Sequence, residues 1–64
     1  MTLQQNARFT VYRMVEEYNP QNGNLWDIAK MIKHAYEINA IKEHEVRLLG
    51  MNAAHLTFDE IMTA

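Results

Sequence analysis

Apolar residues recur every three or four positions along most of the chain, which is the spacing of one face of an α-helix. The first stripe consists of Leu3, Ala7, Val11, Met14, Val15 and Tyr18. The second consists of Leu25, Ile28, Ala29, Ile32, Ala35 and Tyr36. A strand over residues 9–15 is the alternative for the first segment, but it would place Arg13 on the apolar face. The spacing therefore predicts a helix in each segment.

Two sequence pairs have the spacing of a capping box, in which a hydroxyl and a residue three positions later satisfy each other's backbone N–H groups. Thr2 and Gln5 form the first pair, and Thr57 and Glu60 form the second. We therefore expect a first helix within residues 2–18 and a short final helix over Phe58–Met62.

A polar segment at residues 19–24 separates the first two stripes. Pro20 restricts the residue before it to extended conformations, and Gly23 readily adopts positive φ. Asn24 is a favourable N-cap, and Asp27 would lie in the first turn that follows. The segment is therefore predicted to be a loop.

The apolar stripe changes direction after Tyr36. In one straight helix Ile38, Ile41, Leu48 and Leu49 would lie about 140° from the second stripe. A turn near Asn39–Ala40 followed by a third helix over Ala40–Leu49, ended by Gly50, accounts for the change. An uninterrupted helix with two apolar faces is the alternative, and it would need a partner to cover the second face.

These patterns predict an all-α fold, a small bundle of three longer helices plus a short C-terminal helix, with residues 1–64 as a single helical domain. The core is expected to include Val11, Met14, Ile28, Ile32 and Leu48. A chain of 64 residues without cysteine has a thin core and no disulfide. We therefore predict a homodimer, with a seam formed by Ile38, Ile41 and Leu49.

The composition argues against an enzyme. The chain has no Cys and no Ser, and its two glycines cannot form a phosphate-binding loop. His34, His44 and His55 do not repeat a metal-binding pair on facing helices and are expected to be solvated. We expect no catalytic residue, no cofactor and no bound metal.

The charge pattern favours a protein partner over DNA. The net charge is −2, and Glu37 interrupts the face that Lys30 and Lys33 share with Trp26. Binding to nucleic acid requires a positive surface, which this charge pattern does not favour. A small helical DNA-binding transcriptional regulator is therefore kept only as the alternative function. No apolar run exceeds two residues, so no membrane segment is expected. The absence of cysteine predicts a reducing, cytoplasmic location.

Several apolar and acidic residues lie outside the expected core stripes. Phe9, Trp26 and Met31 are of types that supply much of the binding energy in interfaces. Glu16 and Glu17 lie near the C-terminal end of the first helix, where negative charge is unfavourable unless it meets a basic partner. The sequence thus predicts a regulatory or accessory protein-binding module. In size, acidity and short connections it resembles small regulatory proteins of bacteria, phages and mobile elements.

Overall fold

The computed structural model describes residues 1–21 and 23–64. It contains four helices: α1 (Leu3–Glu16), α2 (Leu25–Glu37), α3 (Glu43–Ala54) and α4 (Phe58–Met62). No strand occurs in these residues. The all-α fold with three longer helices and a short last one is confirmed. No helix in the described part is long and apolar enough to cross a bilayer.

Both predicted capping boxes form. The Thr2 hydroxyl accepts the N–H of Gln5 at 3.1 Å, and the Gln5 side chain accepts the N–H of Thr2 at 3.0 Å. Thr57 and Glu60 make the equivalent bonds at 3.1 and 2.9 Å. The unpaired N–H groups at the start of α1 and α4 are thereby partly satisfied, and Phe58–Met62 has the predicted bounds.

The connection between α1 and α2 is irregular, as predicted, in residues 19–21 and 23–24. Asn22, which the predicted loop also includes, lies outside the described residues. The Asn24 side chain accepts the N–H of Asp27 at 3.3 Å, so it caps α2 as expected.

The chain turns at Asn39, which has a φ of 65°. Asn and Gly tolerate this left-handed conformation, and the N–H of Ala40 closes the end of α2 by donating to Ala35 O at 2.8 Å. The predicted turn is confirmed, and the two-faced uninterrupted helix is wrong. The third helix starts at Glu43, three residues later than predicted.

Gly50 lies inside α3 and does not end it, contrary to the prediction. The helix continues to Ala54 and ends where His55 adopts a φ of 56° and Leu56 N–H donates to Gly50 O at 2.9 Å. A Cβ on Gly50 would lie 2.6 Å from Leu56 O and 2.7 Å from Ile61 Cδ1. The glycine therefore allows the chain after α3 to pack closely on the helix.

Gly50→Ala is expected to lower the free energy of unfolding by about 1–2 kcal/mol. Alanine gains about 1 kcal/mol of helix propensity, but the clash with the Leu56 carbonyl costs more. Asn52→Ala, at an exposed position of the same helix, should be neutral or slightly stabilising. Urea unfolding of the three chains measures both effects, and a stabilised Gly50→Ala would show that the close contact is absent.

His55→Gly is expected to stabilise the fold by about 0.5–1 kcal/mol, because glycine adopts positive φ without a steric cost. Ala54→Gly provides the control, since Ala54 has a helical conformation in which glycine is unfavourable. Thermal melts should therefore move in opposite directions for these neighbouring substitutions. A lower melting temperature for His55→Gly would contradict the assigned helix end.

One side of each helix packs into the core. Its buried apolar residues are Ala7, Val11, Val15, Ile28, Ala29, Ile32, Ala35, Ile41, Val46, Leu49, Ala53, Leu56 and Ile61. The prediction is confirmed for Val11, Ile28 and Ile32, while Met14 is half-buried against the core. It is wrong for Leu48, which is 53% exposed. The face of α3 turned inward carries Val46, Leu49 and Ala53, and Leu48 lies outside it.

Candidate protein-binding surface

A buried carboxylate joins α1 to the start of α3. The side chain of Glu45 is only 12% exposed, and its Oε2 accepts hydrogen bonds from Arg8 Nη1 and, at 2.9 Å, from Tyr12 Oη. Its Oε1 accepts the backbone N–H of Lys42 at 3.3 Å, which caps α3. Every oxygen of this carboxylate is thus bonded, and Arg8 and Tyr12 are held in place.

Burial alone would raise the pKa of Glu45, but the hydrogen bonds from Tyr12, the Lys42 N–H and Arg8 outweigh it and hold this pKa below its ordinary value. Burial, followed by the hydrogen bond to Glu45, raises the pKa of Tyr12. The Arg8 guanidinium also lies 5.0 Å from the centre of the Tyr12 ring. The ionised carboxylate and the neutral phenol therefore stabilise each other at neutral pH.

Arg8 and Tyr12 border a shallow, open groove on the outside of α1, formed by α1 and the residue at the start of the chain. We call this the α1 outer surface, and it is lined by Met1, Gln5, Arg8, Phe9 and Tyr12. Phe9 is 54% exposed and Met1 is 90% exposed. The Arg13 guanidinium lies 5.7 Å from the Phe9 ring. An exposed ring bordered by guanidinium and hydroxyl groups is suited to bind an apolar side chain within a polar rim.

The other predicted anchors lie on α2. Trp26 is 54% exposed but does not line the groove, and Met31 is half-buried against the core. Lys30 is exposed, whereas Lys33 Nζ lies 3.4 Å from Ala64 O. The structure therefore does not bring Phe9 and Trp26 into one pocket.

The two predicted acidic residues lie at the end of α1, and both are exposed. Glu17 caps the helix and accepts a hydrogen bond from Arg13 Nη2 at 2.8 Å, so it has a partner within the chain. Among the residues that the structure describes, Glu16 forms no ion pair. Glu16 is thus the acid better placed to meet another molecule.

The predicted dimer seam is wrong for two of its three residues. Ile41 and Leu49 are 3% and 2% exposed within a single chain, so they cannot meet a second copy. Ile38 is half-buried against the same core. The turn at Asn39 folds Ile41 and Leu49 of the rotated stripe into the core of the single chain, while Leu48 stays exposed. Dimerisation itself stays a prediction.

The network of Glu45, Arg8 and Tyr12 was not predicted from the sequence. One signal was available: Glu45 directly precedes Val46 and lies one turn before Leu49, so it belongs to the apolar stripe of α3. A carboxylate in such a stripe requires donors from another element. Arg8 and Tyr12, spaced four apart on α1, present donors on one side of that helix.

No group of three or more metal-ligating side chains comes together in residues 1–21 and 23–64. Comparison of the chain with protein-family models, curated proteins and solved structures found no match. The α1 outer surface is the feature from which a function can be inferred.

Proposed function

We propose that the chain is a protein-binding module of regulatory or accessory type, acting through helix-surface contacts on the α1 outer surface. The observation that carries the proposal is the half-exposed Phe9 ring in an open groove beside Arg8 and Tyr12. Aromatic and Arg side chains are enriched among the residues that dominate binding energy. Phe9 is the anchor, and Arg8 and Tyr12 form part of its polar rim.

The buried carboxylate supports this assignment because it orders the rim before a partner arrives. Immobilising a long side chain at an interface costs free energy, and this cost is smaller where the side chain is already fixed. Arg8 and Tyr12 are both bonded to Glu45. The α1 outer surface therefore presents two prearranged polar groups beside an apolar ring.

Trp26 and the acidic end of α1 supply secondary contacts in this proposal. Trp26 is as exposed as Phe9 but lies on another helix, so it would touch a large partner separately. Met31 adds little because it is half-buried. Glu16 is available to a basic group of the partner, while Glu17 is already paired with Arg13.

Affinity capture with matched variants tests the assignment. The immobilised chain is exposed to an extract of the cells that produce it, and the retained protein is then measured against Phe9→Ala, Trp26→Ala and Leu48→Ala. All three side chains are about half exposed, so the melting temperatures of the three variants should stay close to that of the parent chain. Loss of an anchor typically lowers affinity about thirtyfold or more, and we expect this for Phe9→Ala and not for Leu48→Ala.

Two results would count against the proposal. A Phe9→Ala chain that binds every retained protein with unchanged affinity would show that the α1 outer surface is not used. A DNA duplex bound specifically at physiological salt, with affinity lost in Lys30→Ala and Lys33→Ala, would move the assignment to the DNA-binding alternative.

A further inference from the structure

One stripe of α1 has the spacing of a helix-pairing surface. Gln5, Phe9, Tyr12 and Glu16 follow one another at intervals of four, three and four, which keeps them within about 60° on one side of the helix. We call these four residues the outer stripe. The core residues Ala7, Val11 and Val15 lie on a different side of α1. Gln5, Phe9 and Glu16 are exposed, whereas Tyr12, at the edge of the outer stripe, is half-buried against the core and bonded to Glu45.

The two ends of α1 differ in charge: the first turn is neutral, and the last turn carries Glu16 together with Arg13, which is paired with Glu17. Its first turn contains no acidic residue, although the free N–H groups of a helix start favour one. Glu16, its last residue, carries a negative charge beside the unpaired carbonyls, where it is unfavourable. An antiparallel neighbour of the same sequence would bring each acidic end to a positive end.

We propose that the outer stripe binds a second copy of this chain, with the two α1 helices antiparallel about a two-fold axis. In the register that places Phe9 opposite the partner subunit's Tyr12, Gln5 lies opposite the partner subunit's Glu16. The two-fold axis repeats both pairs, so one stripe is complementary to itself. This proposal rests on the proposed function and names the partner that the α1 outer surface binds.

The contact is small, because a single helix from each chain contributes to it. Interfaces below about 1,200 Å² are typically weak, so the dimer should form in the micromolar range and not persist on dilution. Sedimentation equilibrium should show the mass rising from 7.5 kDa towards twice that value with concentration. Phe9→Ala should weaken the association about thirtyfold or more, whereas Leu48→Ala should leave it unchanged.

Disulfide cross-linking tests the orientation directly, because the chain has no cysteine of its own. Gln5→Cys and Glu16→Cys chains are mixed under mild oxidation, and each is also oxidised alone. The antiparallel register predicts a covalent dimer in the mixture. It predicts none with either chain alone, since like positions lie about 16 Å apart along the axis and a disulfide needs Cα atoms within about 7 Å.

A charge reversal tests the same register without cysteine. Gln5→Glu keeps the capping box and adds an acid to the first turn, so α1 should be at least as stable as before. It also places a carboxylate opposite the partner's Glu16 and should weaken the dimer severalfold. Adding Glu16→Lys to the same chain should restore the dimer, which a folding defect cannot explain.

The outcomes separate this proposal from the broader one. A mass of 7.5 kDa up to high micromolar concentration, with no cross-link in the mixture, would overturn the second-copy proposal. Cross-linking of Gln5→Cys alone would also overturn it, because that result indicates parallel helices. In either case, capture of another protein that depends on Phe9 would still support the proposed function. If Phe9-dependent capture were also absent, both the second-copy proposal and the proposed function would be overturned.

Discussion

Leu49→Ala is expected to lower the free energy of unfolding by about 2–5 kcal/mol, whereas Leu48→Ala should change it by less than about 0.5 kcal/mol. The two leucines are adjacent in α3, but Leu49 is 2% exposed and Leu48 is 53% exposed. Truncating the first leaves a cavity in the core; truncating the second removes a side chain already in contact with water. Urea unfolding of both variants measures the difference.

This pair is a sharp test because the two substitutions are chemically identical. A loss of 2–5 kcal/mol is a large fraction of the stability of a small domain, so Leu49→Ala should be partly unfolded at room temperature. Equal losses for the two variants would show that α3 is rotated from the phase described above. A loss of stability confined to Leu48→Ala would show that Leu48, and not Leu49, packs in the core.

Glu45→Gln is expected to cost about 1–3 kcal/mol. Glutamine replaces a carboxylate oxygen by an NH₂ group, so Arg8, Tyr12 and the Lys42 N–H compete for one acceptor and buried donors lose their partners. The cost stays below that of a wholly buried ion pair, because the Arg8 side chain is 49% exposed and can be solvated. Glu43→Gln is the control, since the exposed pair of Glu43 with Arg47 should contribute about 0.5 kcal/mol or less.

The same network predicts a dependence on pH. The pKa of Glu45 is lower in the folded chain than in the unfolded chain. Its stabilisation is therefore fully present above the ordinary glutamate pKa of about 4.3, and it is lost as the pH falls through the lowered folded value. The stability difference between the parent chain and Glu45→Gln should shrink on acidification below about pH 4. A difference that stays constant with pH would contradict the network.

Tyr12 gives a second dependence of stability on pH, on the alkaline side. Its pKa is raised in the folded chain, so its contribution is present below the ordinary tyrosine value of about 10 and is lost as the pH rises through the folded value. Tyr12→Phe removes the hydroxyl and should remove this alkaline loss.

The parts of the fold that follow from short-range rules could be predicted from the sequence. Both capping boxes, the Asn24 cap and the turn at Asn39 depend on residues within a few positions of one another. The end of α3 could not be predicted in this way. Glycine is a residue type that often ends a helix, but Gly50 lies within α3, where it allows close contact with Leu56 and Ile61.

In the candidate site, too, one part could be predicted from the sequence and another could not. The phase of α1 identifies Phe9 as an outward residue, and the structure places it in the groove. The polar rim depends on Glu45, which is 37 residues from Arg8 and 33 from Tyr12. Nothing local to α1 indicates that a carboxylate from α3 will fix those two side chains. Long-range packing of α1 on α3 is therefore what turns an exposed aromatic into an ordered surface.

Site-specific photo-cross-linking shows whether the α1 outer surface binds protein with Phe9 at its centre. A photoreactive phenylalanine analogue replaces Phe9 in one chain and Trp26 in another, and each is irradiated in the cells that produce the protein. The proposal predicts a defined covalent product from position 9, either with a second copy or with another protein, in higher yield than from position 26. No product above background from position 9, in a chain that melts normally, would contradict it.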